Sequence, residues 1–394
     1  MSTTTIAHTI SHYMSERLST YLEELHQLCA IECPTHHKPG VDEVGAWVRQ
    51  WADTRRWEIQ TWPDPTVGDS LAVSIPGGND QGPHILIAAH LDTVYPVGTA
   101  SERPLRYDGD YLIGPGTADN KSGLLSGLYA MAALEDLDKI KLFGRVCLVC
   151  GSDEESSMRA STAVLRDLAP DHDMALVVES GRENGDIVSA RKGDGRFNLE
   201  VFGKSAHAGI EPHKGANAIL ALAQQISALH LLNGMRPGMT LNVGVVRGGT
   251  TRNTVPDYAQ AEIDVRVLHP DDQEPVTKAI EQIAHTTYVA GTIAKLDGGM
   301  VLAPMARTPQ IEAMATQARN CAQELGFTIH DALTGGVSYA NILASLGVPV
   351  LDGLGPIGGL DHSPGEYIEV PSVVPRTALL ALLMVRLVET YHEQ

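Results

Sequence analysis

The chain has 394 residues, enough for two or three domains at roughly 100–200 residues each. Hydrophobic residues make up 43% and charged residues 20%, an ordinary globular balance that excludes intrinsic disorder. Lys and Arg total 29 against 48 Asp and Glu, and the formal charge of −19 argues against nucleic acid or an anionic membrane as partner.

The opening stretch, MSTTTIAHTISHYMSERL, has no basic region followed by an apolar one, so no secretory signal is expected. Leu18, Leu22, Leu25 and Cys29 repeat at helical spacing, as do Val41, Val44, Val48 and Trp51. Apolar runs over 70–75 and 85–89 predict strands, followed by a loop rich in Gly, Pro and Asp over 92–116. A Gly/Ala/Leu-rich helix is predicted over 122–134, a strand over 145–150, a helix over 161–168 and a strand over 174–178. Such alternation indicates an α/β domain with a largely parallel sheet.

The pattern changes near Gly193. Strands are predicted over 196–202, 240–246, 258–267 and 294–297, with helices over 216–230 and 272–289. This β-α-β-β-α-β order matches a ferredoxin-like unit. After Ala303 the α/β rhythm returns: a helix over 310–325, a strand near 327–330, a helix over 339–346, a strand over 348–351 and a final helix to Tyr391. The expected organisation is a larger domain over 1–192 and 303–394, with an α+β domain inserted over 193–302. The longest apolar run, 378–385, is closed by Arg386 and falls well short of the roughly 20 residues that span a bilayer. A soluble, cytoplasmic protein is expected.

Five cysteines, Cys29, Cys33, Cys147, Cys150 and Cys321, are too few and too scattered for a disulfide framework. Cys147 and Cys150 form a C-x-x-C, but they lie within an apolar run that reads as a buried strand, with no second pair to complete a zinc site. Buried thiols are the expectation.

Histidines and carboxylates gather where strands end, which is where open α/β sheets place their ligand sites. His90 and Asp92 follow the 85–89 run; an imidazole there suits a metal, with the carboxylate fixing its tautomer. Asp119 stands in the glycine-rich turn GTADNKSG, where helix capping is the competing role. Asp153, Glu154 and Glu155 follow the 145–150 strand and would repel one another unless solvated or bound to a cation. Glu179 ends the 174–178 run, and Asp361-His362-Ser363 lies in a turn after Leu354-Gly355-Pro356. Each feature alone also fits a surface turn or helix start; five together at strand ends point to a metal centre. Two imitations need weighing. Gly203-Lys204-Ser205 lacks the upstream glycine of a phosphate-binding loop, since Asn198 stands there. Gly336-Val337-Ser338-Tyr339-Ala340 resembles a nucleophile elbow, and Ser338, Asp352 and His362 follow α/β-hydrolase order. A metal-independent serine hydrolase is therefore the alternative, although it leaves His90, Asp119, Glu155 and Glu179 without roles.

The segments HLDTV, GPGTADNKSG, DEE, VES, GKSAHAG, GGTTRNTVPD, EIDVR and LGPIGGLDHSPGEY resemble, in order, the signatures of the co-catalytic di-zinc peptidases and deacylases. That family includes glutamate carboxypeptidase, acetylornithine deacetylase, succinyl-diaminopimelate desuccinylase and aminoacylase. HLDTVYPVG and the LGP…HSPGEY ending are most similar to its glutamate carboxypeptidase branch. The resemblance implies a zinc-peptidase-like sheet flanked by helices, with the inserted domain as lid and dimerisation domain. It implies two zinc ions per chain, with Co2+ or Mn2+ as substitutes. His90 and Glu179 match ligands of one ion, Glu155 and His362 ligands of the other, and Asp119 the carboxylate between them. A cis peptide usually follows that Asp, here Asp119–Asn120. Asp92 matches the residue that orients His90, and Glu154 the general base. His207 matches a lid residue that reaches the partner subunit's site in a homodimer and steadies the oxyanion, while Asn253 and Arg266 match lid residues that hold the substrate's carboxylate.

Two departures from the family pattern are visible. Tyr339 occupies a position that is often Asp, and Asp297-Gly298-Gly299-Met300 stands where the glutamate carboxypeptidase branch carries an Arg after the lid's last strand. Both are expected to touch the substrate pocket, putting a preference for C-terminal glutamate in doubt. The expected activity is hydrolysis of an amide or peptide bond next to a free carboxylate, in small peptides or N-acyl amino acids. A metal-bound dimeric scaffold without activity is the non-enzyme alternative.

Overall fold

Apolar side chains fill every position of Ile85–Ala89 and Val146–Cys150, and both runs are fully buried. A strand with both faces buried belongs at the centre of a helix-covered parallel sheet. In the computed structural model, which describes residues 3–391, these runs form the middle of a six-stranded sheet. Its order is Glu58–Trp62, Ser70–Pro76, Arg145–Gly151, His84–His90, Met174–Val177, Val350–Leu351. The last four strands are parallel; the first two are antiparallel to each other, and Ser70–Pro76 is antiparallel to Arg145–Gly151. The loop expected over 92–116 contains two short strands, Arg106–Asp108 and Tyr111–Ile113. They pair with each other, and Tyr111–Ile113 pairs also with Tyr367–Glu369, in a second, four-stranded sheet. The strand expected near 327–330 lies instead at Asp331–Thr334.

The helix Ser122–Asp136 is buried from Ser122 to Leu134, which explains an apolar pattern without a polar face. The final helix, Val370–Tyr391, is apolar and long enough by composition to cross a bilayer. However, 78% of its most apolar window is buried, packed against Ser122–Asp136, Thr3–Ser15 and Pro309–Glu324, so it is a core helix here. The five cysteines are all buried free thiols. Burial pushes Cys147 up to about 12, which fits a thiol packed in a strand and not a metal ligand.

The chain divides into two compact units. The larger comprises 1–189, 307–333 and 338–394; the smaller comprises 190–306 with 334–337. The smaller unit has the strand order Thr240–Gly248, Tyr258–Val267, Gly193–Phe202, Ile293–Leu302, all neighbours antiparallel. With helices Ala218–His230 and Gln273–His285 this is the β-α-β-β-α-β arrangement. Tyr258–Val267 alternates strictly: Ala259, Ala261, Ile263, Val265 and Val267 are buried against the helices, joining Leu222 and Ile280 in one core. The last strand is longer than its sequence suggested, and Asp297–Met300 sit inside it, not after it.

Candidate metal centre

Register sets the site. His90 pairs with Gly151 and Ala88 with Val177, so three parallel strands end at one edge. From that edge emerge His90, the Asp153-Glu154-Glu155 turn and Glu179. Asp119 reaches the same place from the turn before Ser122–Asp136. A Cβ at Gly123 would lie 1.9 Å from the Val178 carbonyl oxygen, so only glycine lets this helix start seat against that strand. His362 arrives from the loop between Gly359 and Tyr367, with a left-handed φ of 62° that a histidine adopts only when its surroundings impose it.

The side chains converge around Asp119. His90 Nδ1 is 3.2 Å from Asp92 Oδ1 and 3.0 Å from the Asp92 carbonyl, which makes it the protonated nitrogen of the ring. His90 Nε2 then faces Asp119 Oδ1 at 2.8 Å, with Glu179 Oε1 at 3.9 Å. The other Asp119 oxygen, Oδ2, is 3.1 Å from His362 Nε2, which is itself 3.1 Å from Glu155 Oε2. Ligand atoms of His90, Asp119 and Glu155 all lie within 4.8 Å of one another. Glu155 Oε1 is buried and accepts no hydrogen bond, and the peptide Asp119–Asn120 is cis.

Charge explains what this arrangement is for. Burial resists a charged His90, but Asp119 and Asp92 outweigh it and hold the imidazole's pKa well above its usual value. Asp119 and Glu155 hold His362 up at about 11. Burial raises Glu155, although His362 opposes the rise. Protons thus occupy imidazole nitrogens that a divalent cation would take, and the carboxylates around them would repel one another without a cation. Two histidines with three carboxylates are a donor set that fits zinc. A prediction follows from the sign of these shifts. Loading the protein with Zn2+ at neutral pH should release protons from both histidines, and apparent affinity should rise with pH through the neutral range. Calorimetric titration in buffers of different ionisation enthalpy measures this; zero net proton release would refute it.

Asp92 is a hub. Besides His90 it accepts the backbone N–H groups of Glu154 and Glu155, each at 3.2 Å, and the Thr35 hydroxyl at 2.6 Å. The three carboxylates of 153–155 separate by role. Asp153 accepts the Ala160 and Ser161 N–H groups, both at 2.8 Å, and caps the helix Arg159–Leu168. Glu155 faces His362. Glu154 is raised well above its usual range, first by burial and then by Glu179, Asp119 and Glu155, against an opposing effect of His90.

Three supporting residues escaped the sequence reading. Glu366 Oε1 accepts the N–H groups of Ala118 (2.9 Å) and Asp119 (3.0 Å), while Tyr95 donates to Oε2 at 2.5 Å. Asn120 Nδ2 donates to Glu179 Oε2 at 2.9 Å, and Thr35 braces Asp92. Glu366 lies within a recognised signature, so the signal was a carboxylate in an otherwise Gly/Pro-rich turn. Asn120 and Thr35 have no distinctive sequence context.

Two expectations need correction. Ser338 donates to Asp352 at 2.5 Å and caps the helix Tyr339–Ser345, while His362 faces Asp119 and Glu155, so these two do not form the pair that a serine nucleophile needs. Tyr339 does not touch a substrate pocket either. It is fully buried, with its hydroxyl donating to Ser161 Oγ at 2.7 Å beneath the 153–155 turn.

In the smaller unit, His207 pairs with Thr254, and Ala208 donates to the Asn253 carbonyl at 2.9 Å, so His207 and Asn253 are neighbours. His207 Nδ1 accepts the Gly209 N–H at 3.2 Å, which leaves the ring proton on Nε2 as an exposed donor. Arg266 is not brought to them. It lies at the far end of the strand Tyr258–Val267, roughly 26 Å from Tyr258 at about 3.3 Å per residue. Its guanidinium pairs with Asp264 at 2.8 and 3.1 Å and with Asp194 at 3.5 Å. Arg266→Ala should therefore lower Tm and leave unchanged the ratio of kcat/KM for substrates with a free carboxylate over their amides. A selective rise in KM for the free acids would restore the substrate-binding role.

Known proteins share this architecture. Residues 189–292 match the model of a peptidase dimerisation domain, and residues 70–219 that of peptidase family M28. Carboxypeptidase G2 of Pseudomonas sp. (strain RS-16) is 26% identical over 380 residues, 92% of this chain and 88% of the relative. Acetylornithine deacetylase of Proteus mirabilis is 26% identical over 275 residues, 65% of this chain and 69% of the relative. The crystal structure of aminopeptidase PepT from Bacillus cereus superposes with a TM-score of 0.81 at 23% identity, covering 93% of this chain and 98% of that one. By these matches the chain is a metallohydrolase of peptide or amide bonds that is similar to the M20 peptidases and deacylases over most of its length.

Proposed function

We propose that the protein is a dinuclear zinc hydrolase that cleaves an amide or peptide bond next to a free carboxylate, in small peptides or N-acyl amino acids. The observation that carries this reading is the division of Asp119: one oxygen faces His90, whose Nε2 also lies 3.9 Å from Glu179, and the other faces His362, which leads on to Glu155. His90 and Glu179 would hold one ion, His362 and Glu155 the other, with Asp119 between them. When bound, such a pair polarises the scissile carbonyl and lowers the pKa of an attacking water. Asp92 keeps the His90 tautomer fixed. Glu154 takes the water's proton and passes it to the leaving amine. His207 Nε2–H donates to the oxygen on which negative charge develops, and Asn253, beside it, contacts the substrate's carboxylate.

A homodimer formed through the smaller unit would supply His207 to the neighbouring site. Exposed apolar residues on its helix and edge strand favour such contact, among them Ile219 (42% exposed), Leu220 (49%) and Val246 (55%). The five unpaired thiols accord with a reducing, cytoplasmic setting. The acidic charge leaves nucleic acid and membrane out of the proposed partners.

The test is a screen of N-acyl amino acids and dipeptides, each beside its C-terminal amide, using protein loaded with zinc and protein stripped by a chelator. Metal analysis of the loaded protein should approach two ions per chain. Hydrolysis of the free acids by loaded protein alone is expected. Full activity in stripped protein would overturn the metal reading, and equal rates on acids and amides would overturn the carboxylate requirement.

A further inference from the structure

We infer that Arg182 is a specificity-determining residue that binds an anionic group of the substrate, in a pocket beside the metal centre. The inference rests on the hydrolase reading above. A cavity of about 450 Å³ lies between the segments Ser180–Asn184 and Gly358–Asp361. Ser180 directly follows Glu179, and Asp361 directly precedes His362, so the pocket's two walls continue from the metal ligands themselves. A substrate whose scissile carbonyl sits at Asp119 therefore has this space for a neighbouring substituent.

The pocket is preformed. The Gly181 N–H donates to the Pro356 carbonyl at 2.9 Å, and the Gly358 N–H to the Gly181 carbonyl at 3.3 Å, joining the two walls. Beneath them Arg376 is fully buried in the final helix, where it has carbonyl oxygens as acceptors. It donates to Gly185 at 2.8 Å, to Gly355 at 3.0 Å and to Gly353. One side chain thus pins the turn after Arg182 and the segment before Gly358, so little ordering remains to be done when a ligand enters.

The ligand class follows from donors and acceptors. Glu183 and Asp361 present acceptors to the pocket. The Asn184 amide is committed to Asp186 at 2.7 Å. Arg182 supplies the charged donors. Its Nη2 donates to the Ser180 carbonyl at 3.1 Å, and its Nε is buried with no hydrogen-bond partner. That Nε is closed to solvent, so an entering acid would meet the Nη nitrogens, and a carboxylate is the group that a guanidinium matches best. Without Arg182 the pocket keeps two carboxylates and would repel an anion, so selectivity for an acid depends on this one residue. Arg266, with its fork facing Asp264, has no comparable vacancy.

The anion could be carried by the acyl part or by the amine part of the substrate, and the experiment separates these. Two substrate pairs keep the α-carboxylate and exchange one further carboxylate for a carboxamide: N-succinyl against N-succinamoyl amino acids, and N-acyl glutamate against N-acyl glutamine. Wild type, Arg182→Gln and Arg182→Lys are compared as zinc-loaded proteins with metal content verified. In one of the two pairs the wild type should favour the acid. Arg182→Gln should lower that acid-to-amide ratio of kcat/KM at least tenfold, chiefly through KM, and Arg182→Lys should restore part of it. The responding pair identifies which end of the substrate enters. An unchanged ratio in both pairs, or a wild type indifferent to acid and amide in both, would overturn the inference while leaving hydrolysis intact. Failure of zinc-loaded wild type to cleave any of the four would count against the hydrolase reading itself, and the inference would fall with it.

Discussion

Glu154→Gln is expected to lower kcat at least about 10²-fold while both metal ions remain bound, 10² being the lower end for loss of a general base. Glutamine keeps the shape of the side chain, and the backbone N–H at 154 still donates to Asp92. The residues whose ligand atoms cluster within 4.8 Å are His90, Asp119 and Glu155, not Glu154. What the substitution removes is a carboxylate whose affinity for a proton is raised by burial and by Glu179, Asp119 and Glu155. Such a group suits proton transfer near neutrality better than an ordinary glutamate. Steady-state kinetics with metal analysis decides the matter. Loss of metal in the variant would exchange the roles of Glu154 and Glu155, and near-normal kcat would remove Glu154 from the proton transfer.

Mixing two inactive variants should restore activity. A His207→Ala chain keeps its Glu154, and a Glu154→Gln chain keeps its His207. If His207 serves the neighbouring subunit, a heterodimer contains one site that receives an intact base from one chain and an intact donor from the other. Re-equilibrated equimolar mixtures should then reach about a quarter of wild-type activity, since half of the dimers are mixed and each has one complete site. If His207 works within its own chain, or caps the Ala206–Gly209 turn without touching substrate, the mixture remains as inactive as its parts. The free Nε2–H fixed by the Gly209 contact is the structural basis for expecting restoration.

How much of this could be read in the sequence depended on whether an element's cause was local. Strands such as Ile85–Ala89 announce themselves because burial on both faces demands an unbroken apolar run, and the ligands follow directly where each run stops. Alternation in Tyr258–Val267 is equally local. The helix Thr3–Ser15 was not read, although its buried Ala7, Ile10, Tyr13 and Met14 form a helical stripe; short polar residues between them dilute the pattern. The strands Arg106–Asp108 and Tyr111–Ile113 are mostly exposed and pair as a short hairpin, and only Tyr111–Ile113 is anchored further, by Tyr367–Glu369 over 250 residues away, a contact that no local pattern encodes. Tyr339 was misplaced for a related reason: motif position suggested contact with substrate, whereas the partner that fixes it, Ser161, is set by packing.

The hub at Asp92 and the brace at Glu366 carry a consequence for biosynthesis. The centre draws on Thr35 near the beginning of the chain, on His90, Asp119, Glu155 and Glu179 further along, and on His362 and Glu366 near its end, after the whole of the smaller unit has been threaded between. On the ligand set proposed above, a nascent chain leaving the ribosome would lack His362, and the support of Glu366 under Asp119, until after the smaller unit has emerged. With that ligand set, the ion between His90 and Glu179 could be held early, whereas the one at Glu155 would wait for His362, so the two sites would fill in sequence.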